Sequence, residues 1–117
     1  MEIELSAPGQ LGEEVVAAVG TLPQMVSMRL KGTLNAEDWK TMKNLTGLAY
    51  LDMTETTVTE IPAEAFTKNP IRTIKWPANL KVIGGKAFYD KYLTGHLVLP
   101  ETLDSIGPSA FYKNSID

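Results

Sequence analysis

The feature that most constrains the fold of this chain is an internal repeat. Three segments begin with Ile and end with Ala-Phe, and they start at positions 61, 83 and 106. The step is therefore 22 residues and then 23 residues. Such a period indicates one short structural unit used several times, because a single unit cannot bury its apolar side without stacked neighbours. Phe66, Phe88 and Phe111 are then equivalent core positions, and we expect Phe88, with a unit on each side, to be the most buried.

The same step relates apolar positions earlier in the chain. Each earlier unit reads apolar-x-x-apolar-x-apolar, and the closing alternation predicts a short strand with alternate side chains on opposite faces. We predict about five such strands, parallel to one another and joined by right-handed connections. The equivalent positions are Met25, Leu48 and Ile71; Met28, Leu51 and Ile74; and Leu30, Met53 and Trp76.

The segments that return the chain between strands differ along the sequence. Asn35 followed by Asp38 predicts a capped helix that runs to about Leu45. In the later units the return is only a turn or so. Pro62 and Pro108 occupy places that suit the first position of a short helix.

The first residues depart from the repeat and are predicted to form a cap. Leu11, Val15 and Val19 define a helical stripe that ends at Gly20. We treat 1–117 as a single domain, with the cap at 1–24 and the repeats at 25–117. For the C-terminus two interpretations stay open, an array truncated within a longer protein or a short natural array.

The strand at 96–99 belongs to the final complete unit. Since nothing after Ile116 supplies another strand, we expect its outer backbone groups to be unpaired. Unpaired edges favour pairing with other chains. We therefore expect weak self-association through this C-terminal edge, or fraying from about Ser109 onward.

Composition and residue types argue against several functions. The net charge is −3 and the pI about 5.1, whereas nucleic-acid binding needs a clustered basic face. The longest apolar run, Val15 to Val19, is too short for a membrane span. With no Cys and one His we predict no metal and no cofactor.

Catalytic groupings have simpler structural explanations. Two acids could flank a glycosidic bond, and Asp52 with Glu55 or Glu60 with Glu64 lie close in sequence. We interpret these acids as strand-end and helix-start residues, and His96 as a solvent-facing strand residue. We predict that the protein is not an enzyme.

The strand alternation selects one surface for binding. If the apolar strand residues point inward, their neighbours form rows on the opposite face of the sheet, and such faces commonly serve recognition. We predict that this sheet face is the binding site. Its rows are Ser27, Tyr50, Thr73 and His96, and then Arg29, Asp52, Lys75 and Val98. The charges of Arg29, Asp52 and Lys75 in the second row alternate in sign, so pairing between neighbouring strands is the preferred explanation for them.

The remaining aromatic residues are assigned to packing. Trp39 lies at helical spacing on the apolar face of the predicted helix, and Trp76 aligns with the inward strand positions, so we expect both in the core. Tyr89 and Tyr112 follow the repeat Phe residues. We favour packing between neighbouring units over an exposed ridge for a partner.

The pattern Ile-Gly-x-x-Ala-Phe-Tyr, at 83–89 and 106–112, resembles the BspA-like leucine-rich repeat. The stretch Leu-Pro-Glu-Thr-Leu-Asp-Ser-Ile at 99–106 is similar to the same family, and the resemblance covers 24–116. It implies an α/β leucine-rich-repeat solenoid in a secreted or surface-anchored bacterial protein, and some members of the family have adhesion roles. Two departures are the Asp-Lys and Lys-Asn pairs where Gly-Cys often follows, and a start without a leader peptide.

Together these observations predict a right-handed solenoid with short parallel strands and an N-terminal helical cap. The function we expect is a non-catalytic module that recognises a protein or a glycan at a bacterial cell surface. One alternative is a structural spacer within a larger surface protein. A more distant alternative is a carbohydrate-active enzyme, which would show two acids converging in a pocket.

Overall fold

The computed structural model describes residues 2–89, 91, 93–95 and 99–116. It contains two α-helices, a short 3-10 helix and nine strands within those residues. The elements in chain order are β1 (Glu2–Glu4), α1 (Leu11–Val19), the 3-10 helix (Leu22–Gln24), β2 (Ser27–Gly32), α2 (Ala36–Lys43), β3 (Tyr50–Thr56), β4 (Glu60–Ile61), β5 (Thr73–Lys75), β6 (Val82–Ile83), β7 (Thr94–Gly95), β8 (Ser105–Ile106) and β9 (Ser115–Ile116).

The main sheet has the strand order β1-β2-β3-β5, and all its strands are parallel. Met28 pairs with Leu51, and Leu51 pairs with Ile74, so the register follows the step of 23 residues read from the sequence. These three side chains are buried, while the residues before them are exposed. The predicted alternation is confirmed for these strands. The expected fifth strand falls largely on residues 96–98, which lie outside the described residues.

A second sheet, which the repeat pattern did not predict, has the order β4-β6-β8. Ile61 pairs with Ile83, and Ile83 pairs with Ile106, again in parallel. The expectation of a short helix beginning at Pro62 and Pro108 is wrong, because hydrogen-bonded turns follow both positions.

Two features of these turns explain why no helix forms. Glu64, Lys86 and Ser109 have φ angles of 61°, 57° and 59°, which lie in the left-handed region and interrupt a right-handed helix. At Gly84, a Cβ would lie 2.3 Å from the Ala63 nitrogen of the preceding turn. Successive turns therefore stack backbone against backbone, and the Ile-Gly pair is required by that close approach.

The core of the later units is a stack of phenylalanine rings. The centroids of Phe66 and Phe88 are 5.0 Å apart, and those of Phe88 and Phe111 are 5.5 Å apart. Trp76 contacts both Phe88 and Phe111 edge-on, and Trp39 contacts Phe66 in the same way. Both tryptophans are partly buried against the core, as predicted. Phe66 and Phe88 are equally and fully buried, so Phe88 is not the more buried of the two, because Trp39 covers Phe66.

The N-terminal segment is fastened to α2 by one buried carboxylate. Asn35 and Asp38 form the predicted capping box. Asp38 also accepts hydrogen bonds from the backbone N–H groups of Gly9, at 2.8 Å, and Leu11, at 3.0 Å. Leu11 and Val15 of α1 are fully buried. The acid expected to cap one helix thus also fixes the start of the other.

A polar position three residues after each repeat Phe closes the turns. The side-chain amide of Asn69 donates to the carbonyls of Met42 and Leu45 at 2.9 and 2.6 Å. The equivalent position is Lys91 in the next unit and Asn114 in the last one. The side-chain amide of Asn114 donates to the carbonyls of Phe88 and Phe111 at 2.6 and 3.0 Å. The carbonyls of Met42 and Leu45 also accept backbone N–H groups, from Leu45 and Leu48, so Asn69 adds a second hydrogen bond to each and links its turn to the preceding unit.

At the C-terminal end, β7 pairs with β9, with Thr94 opposite Ser115 and Gly95 opposite Ile116. The predicted unpaired outer edge concerns the strand at 96–99, of which residues 96–98 lie outside the described residues, so it stays a prediction. Ile106 is 44% exposed, whereas its two equivalents in earlier units are fully buried.

Candidate functional site

The main sheet brings together six of the eight predicted binding residues. Ser27, Tyr50 and Thr73 pair across β2, β3 and β5 and form the first predicted row. The same registers place three charged residues in the second row, namely Arg29, Asp52 and Lys75. The other two predicted residues, His96 and Val98, lie outside the described residues.

The six residues line one shallow, open depression of about 250 Å³. Met28 and Leu51 contribute to its floor. Tyr50, on the central strand, is 46% exposed and carries the largest accessible ring of the depression. A rigid sheet therefore presents one aromatic ring among hydroxyl groups, a carboxylate and two cations, which is a surface suited to polar recognition.

Asp52 is held as a carboxylate within this depression. Its Oδ1 accepts hydrogen bonds from the Thr54 backbone N–H, at 2.9 Å, and from the Thr54 hydroxyl, at 2.7 Å. Partial burial alone would raise the pKa of Asp52, but the Thr54 hydrogen bonds, with Lys75 and Arg29 nearby, lower it overall. The depression therefore keeps a fixed negative charge with one oxygen, Oδ2, turned toward Arg29 at 3.9 Å.

An ion-pair network borders the depression. Arg29 Nη2 lies 3.1 Å from Glu55 Oε1, which is shorter than its 3.9 Å contact with Asp52. Lys31 bridges Glu55, at 3.1 Å, and Glu2 of β1, at 2.8 Å. The hydrogen bond from Lys31 lowers the pKa of Glu2, and those to Glu2 and then Glu55 raise the pKa of Lys31.

The predicted cross-strand pairing of Arg29 with Asp52 is thus present, at 3.9 Å. Arg29 also makes a closer ion pair, at 3.1 Å, with Glu55, which is not a member of the row. A register shift between Arg29 and Lys31 brings Glu55 opposite Lys31. The irregularity of the strands, which the repeat step cannot show, therefore decides which charges meet. Lys75 makes no ion pair within the described part of the chain.

Of the acids considered for catalysis, Asp52 and Glu55 have structural partners. Asp52 is bonded to Thr54, and Glu55 is paired with Arg29 and Lys31. Glu60 is an exposed residue of β4, and Glu64 is an exposed turn residue. In the part of the chain that the structure describes, no group of three or more His, Cys, Asp or Glu side chains is placed to hold a metal ion.

Tyr89 and Tyr112 contact each other, with ring centroids 5.7 Å apart and planes tilted by 42°. The ammonium groups of Lys86 and Lys113 each lie 5.7 Å from the Tyr89 ring centre. Packing between neighbouring units, the preferred interpretation, is therefore present. Tyr112 is also 58% exposed, so the pair forms part of the surface as well.

Residues 24–117 match the BspA-type leucine-rich repeat region in six copies, and the chain belongs to this family. The family suggests a surface protein-interaction module; its members are generally non-catalytic and typically surface-associated. A comparison with curated proteins finds no match. Among the described residues, no helix combines the length and the apolar character needed to cross a membrane.

Proposed function

We propose that the protein is a non-catalytic binding module whose sheet face recognises a protein or a glycan at a bacterial cell surface. The observation that carries the proposal is the convergence of Ser27, Tyr50, Thr73, Arg29, Asp52 and Lys75 on one depression. These residues come from three units of the chain, so the depression exists only when the units are stacked in register. The proposed site also includes His96 and Val98, which are assigned to the same rows from the sequence alone.

The proposal includes a right-handed solenoid as the scaffold. Four parallel strands in the order β1-β2-β3-β5, joined by crossovers, support it. Crossovers between parallel strands of one sheet are right-handed in nearly all proteins. In this scaffold the segment 1–24, with α1 packed on α2 through Asp38, is the N-terminal cap, and 25–117 is the repeat array.

The chemistry of the depression favours a polar partner with flat or planar groups. Tyr50 offers an exposed ring that can stack on a sugar ring or on a planar side chain. Asp52 offers a carboxylate oxygen, and Lys75 offers an ammonium group that makes no ion pair with the described residues. Opposite charges on one face fit a partner that presents both donors and acceptors, and the net acidity of the chain disfavours a polyanion.

The experiment is a binding screen of this domain against extracellular proteins and a glycan array. We expect saturable binding that is weakened at least about tenfold by Tyr50→Ala, because exposed aromatic residues often dominate binding energy. The matched control is Tyr112→Ala, which removes a tyrosine that is 58% exposed on another surface and should leave binding unchanged.

Two results would count against the proposal. Binding that survives the combined replacement of Tyr50, Thr73 and Lys75 would place the site elsewhere on the molecule. The absence of any saturable partner, with the variants correctly folded, would favour the structural-spacer alternative. The ion pairs that occupy Arg29 and Glu55 would then serve only to hold neighbouring strands together.

A further inference from the structure

A second concave surface lies beside helix α2 and shares no residue with the sheet-face depression. This groove has a volume of about 440 Å³ and is lined chiefly by Leu34, Trp39, Lys40, Lys43, Pro62 and Ala65. Its size falls within the range of natural ligand sites. The proposed function of the sheet face does not use it.

The groove exists because the return segments change their form between two units. The first return is the helix α2, whereas the next is the tight turn that starts at Pro62. In the later units the position equivalent to Pro62 is Gly84, where a Cβ would collide with the preceding turn. Pro62 and Ala65 of the turn line the groove together with Trp39 of α2, so the groove lies where the helical return meets the first tight turn.

Trp39 forms the apolar wall of the groove. Its ring packs edge-on against Phe66 with a centroid distance of 6.1 Å, which fixes its orientation. The rest of the ring remains accessible and faces the groove together with Leu34 and Pro62. Trp39 was assigned to the core from its helical spacing, and it both packs on the core and lines this surface. The wall is therefore rigid and apolar, and an apolar occupant would gain free energy by covering it.

The rim of the groove is cationic. Lys43 has no ion pair or hydrogen bond within the described residues, and it borders the groove. Lys40 is paired with Glu37 at 3.4 Å, but both side chains are more than 70% exposed, so this pair is weak and readily exchanged. Glu37 does not line the groove. Charge complementarity therefore calls for an occupant that joins an apolar part to carboxylates.

We propose that this groove binds a peptide segment of a partner protein in which bulky apolar side chains are followed by acidic side chains. The eight residues of α2 span about 12 Å, which matches three to four residues of extended peptide. The apolar side chains lie against Trp39 and Pro62. The carboxylates lie at Lys40 and Lys43.

The test uses the acetylated and amidated tetrapeptide Leu-Phe-Asp-Glu and follows the two indole N–H signals of the uniformly labelled protein by NMR. We expect a saturable shift of the Trp39 signal and no comparable shift of Trp76, which serves as an internal control. Lys43→Gln should weaken binding about two- to fivefold, the effect of one partly screened charge pair. Lys81→Gln removes an exposed lysine that does not line the groove and should have no effect.

A second variant tests the location independently of charge. Ala36, the exposed first residue of α2, lines one end of the groove, and Ala36→Trp should fill it and abolish the Trp39 response. Equal binding of the uncharged peptide Leu-Phe-Asn-Gln would overturn the acidic part of the proposal. If decanoate bound and the tetrapeptide did not, the groove would be a site for a lipid-like ligand and not for a peptide. Tyr50→Ala should leave tetrapeptide binding unchanged, so the two proposals can fail separately.

Discussion

The two halves of the molecule stack their repeat units in different ways. In the N-terminal half, β2 and β3 have six and seven residues, and the chain returns through helix α2. In the C-terminal half, β5 has three residues, and the strands β4, β6 and β8 have two each. There the chain returns through turns, and the short strands β4, β6 and β8 that precede these turns pair with one another as a second sheet.

Proline explains why β5 is short. Pro77, two residues after the end of β5, takes the place that Lys31 and Thr54 hold in the earlier units. Proline has no backbone N–H and cannot continue a ladder of hydrogen bonds. Lys31 and Thr54 both lie within their strands, and Lys31 adds ion pairs to its two neighbours. The comparison shows that one repeat length accommodates two kinds of unit, a long-stranded helical unit and a short-stranded unit with stacked turns.

The two halves also differ at their outer ends. The N-terminal end is covered by β1 and α1, and Asp38 fastens the chain at Gly9 and Leu11. Toward the other end, the core positions become progressively more accessible, as Ile106 and Phe111 show beside their buried equivalents. We infer that order is imposed from the N-terminal end and decreases along the array.

The largest expected effect comes from the phenylalanine stack. Phe88→Ala should lower the free energy of unfolding by about 3–5 kcal/mol, because it leaves a cavity between two stacked rings. Phe111→Ala should cost roughly half as much, since that ring is already partly exposed. Urea denaturation of both variants provides the comparison. A loss below about 1 kcal/mol for Phe88→Ala, far under the usual core value, would contradict the repeat alignment.

The second effect concerns the fastening of the N-terminal segment. Asp38→Asn should destabilise the protein by about 2–3 kcal/mol, because an amide group would face backbone N–H groups that now share two carboxylate oxygens. Glu37→Gln, at the neighbouring exposed position of the same helix, should change stability by less than about 0.5 kcal/mol. Equal effects of the two substitutions in thermal unfolding would show that Asp38 does not join the two helices.

A smaller effect is expected at the C-terminal end. The outer edge of β8 has no partner strand among the described residues, and Ile106 is exposed there. We expect weak self-association of the protein, visible by sedimentation at rising concentration. Ile106→Lys should reduce it without unfolding the chain. A protein that sediments as a monomer throughout the accessible concentration range would show that this edge is protected.

The smallest effect involves the ion pairs of β1. The hydrogen bond from Lys31 lowers the pKa of Glu2, so the pair stabilises the fold above the ordinary pKa of a glutamate. That contribution is lost as the pH falls through the lowered pKa. An NMR titration of the Glu2 carboxyl should show the lowered pKa, and Lys31→Gln should move it back upward. If the pKa of Glu2 were the same in Lys31→Gln, the ion pair with Lys31 would not be the cause of the lowered pKa.

The parts of the fold that were predictable from sequence depend on local rules and on the repeat step. The capping box at Asn35 and Asp38 has a fixed spacing, and the pairing of Met28 with Leu51 repeats the period itself. The rows of the sheet face follow from the same register. The six described residues of the predicted site therefore lie together, although their role in binding stays a prediction.

The parts that were missed depend on contacts between units. The second sheet requires left-handed residues such as Glu64 and Lys86, for which the sequence has no glycine signal. The Asn69 side chain donates to the carbonyls of Met42, in α2, and Leu45, just after it, which are 27 and 24 positions away. Asn69, Lys91 and Asn114 are separated by the repeat step, and this spacing was a signal that could have indicated the polar position of each unit. The groove at Trp39 could not be inferred, because it depends on the mismatch between a helical return and a turn.

Amide hydrogen exchange tests the decrease of order along the array most directly. Phe66 N–H donates to Ala87 at 3.1 Å, and the equivalent Phe88 N–H donates to Ala110 at 2.8 Å. Bond length alone would make the Phe88 amide the slower to exchange. We predict the opposite order, with Phe66 slower than Phe88, because the unit that covers Phe88 opens more often. Equal exchange at the two positions, or slower exchange at Phe88, would contradict an array ordered from its N-terminal end.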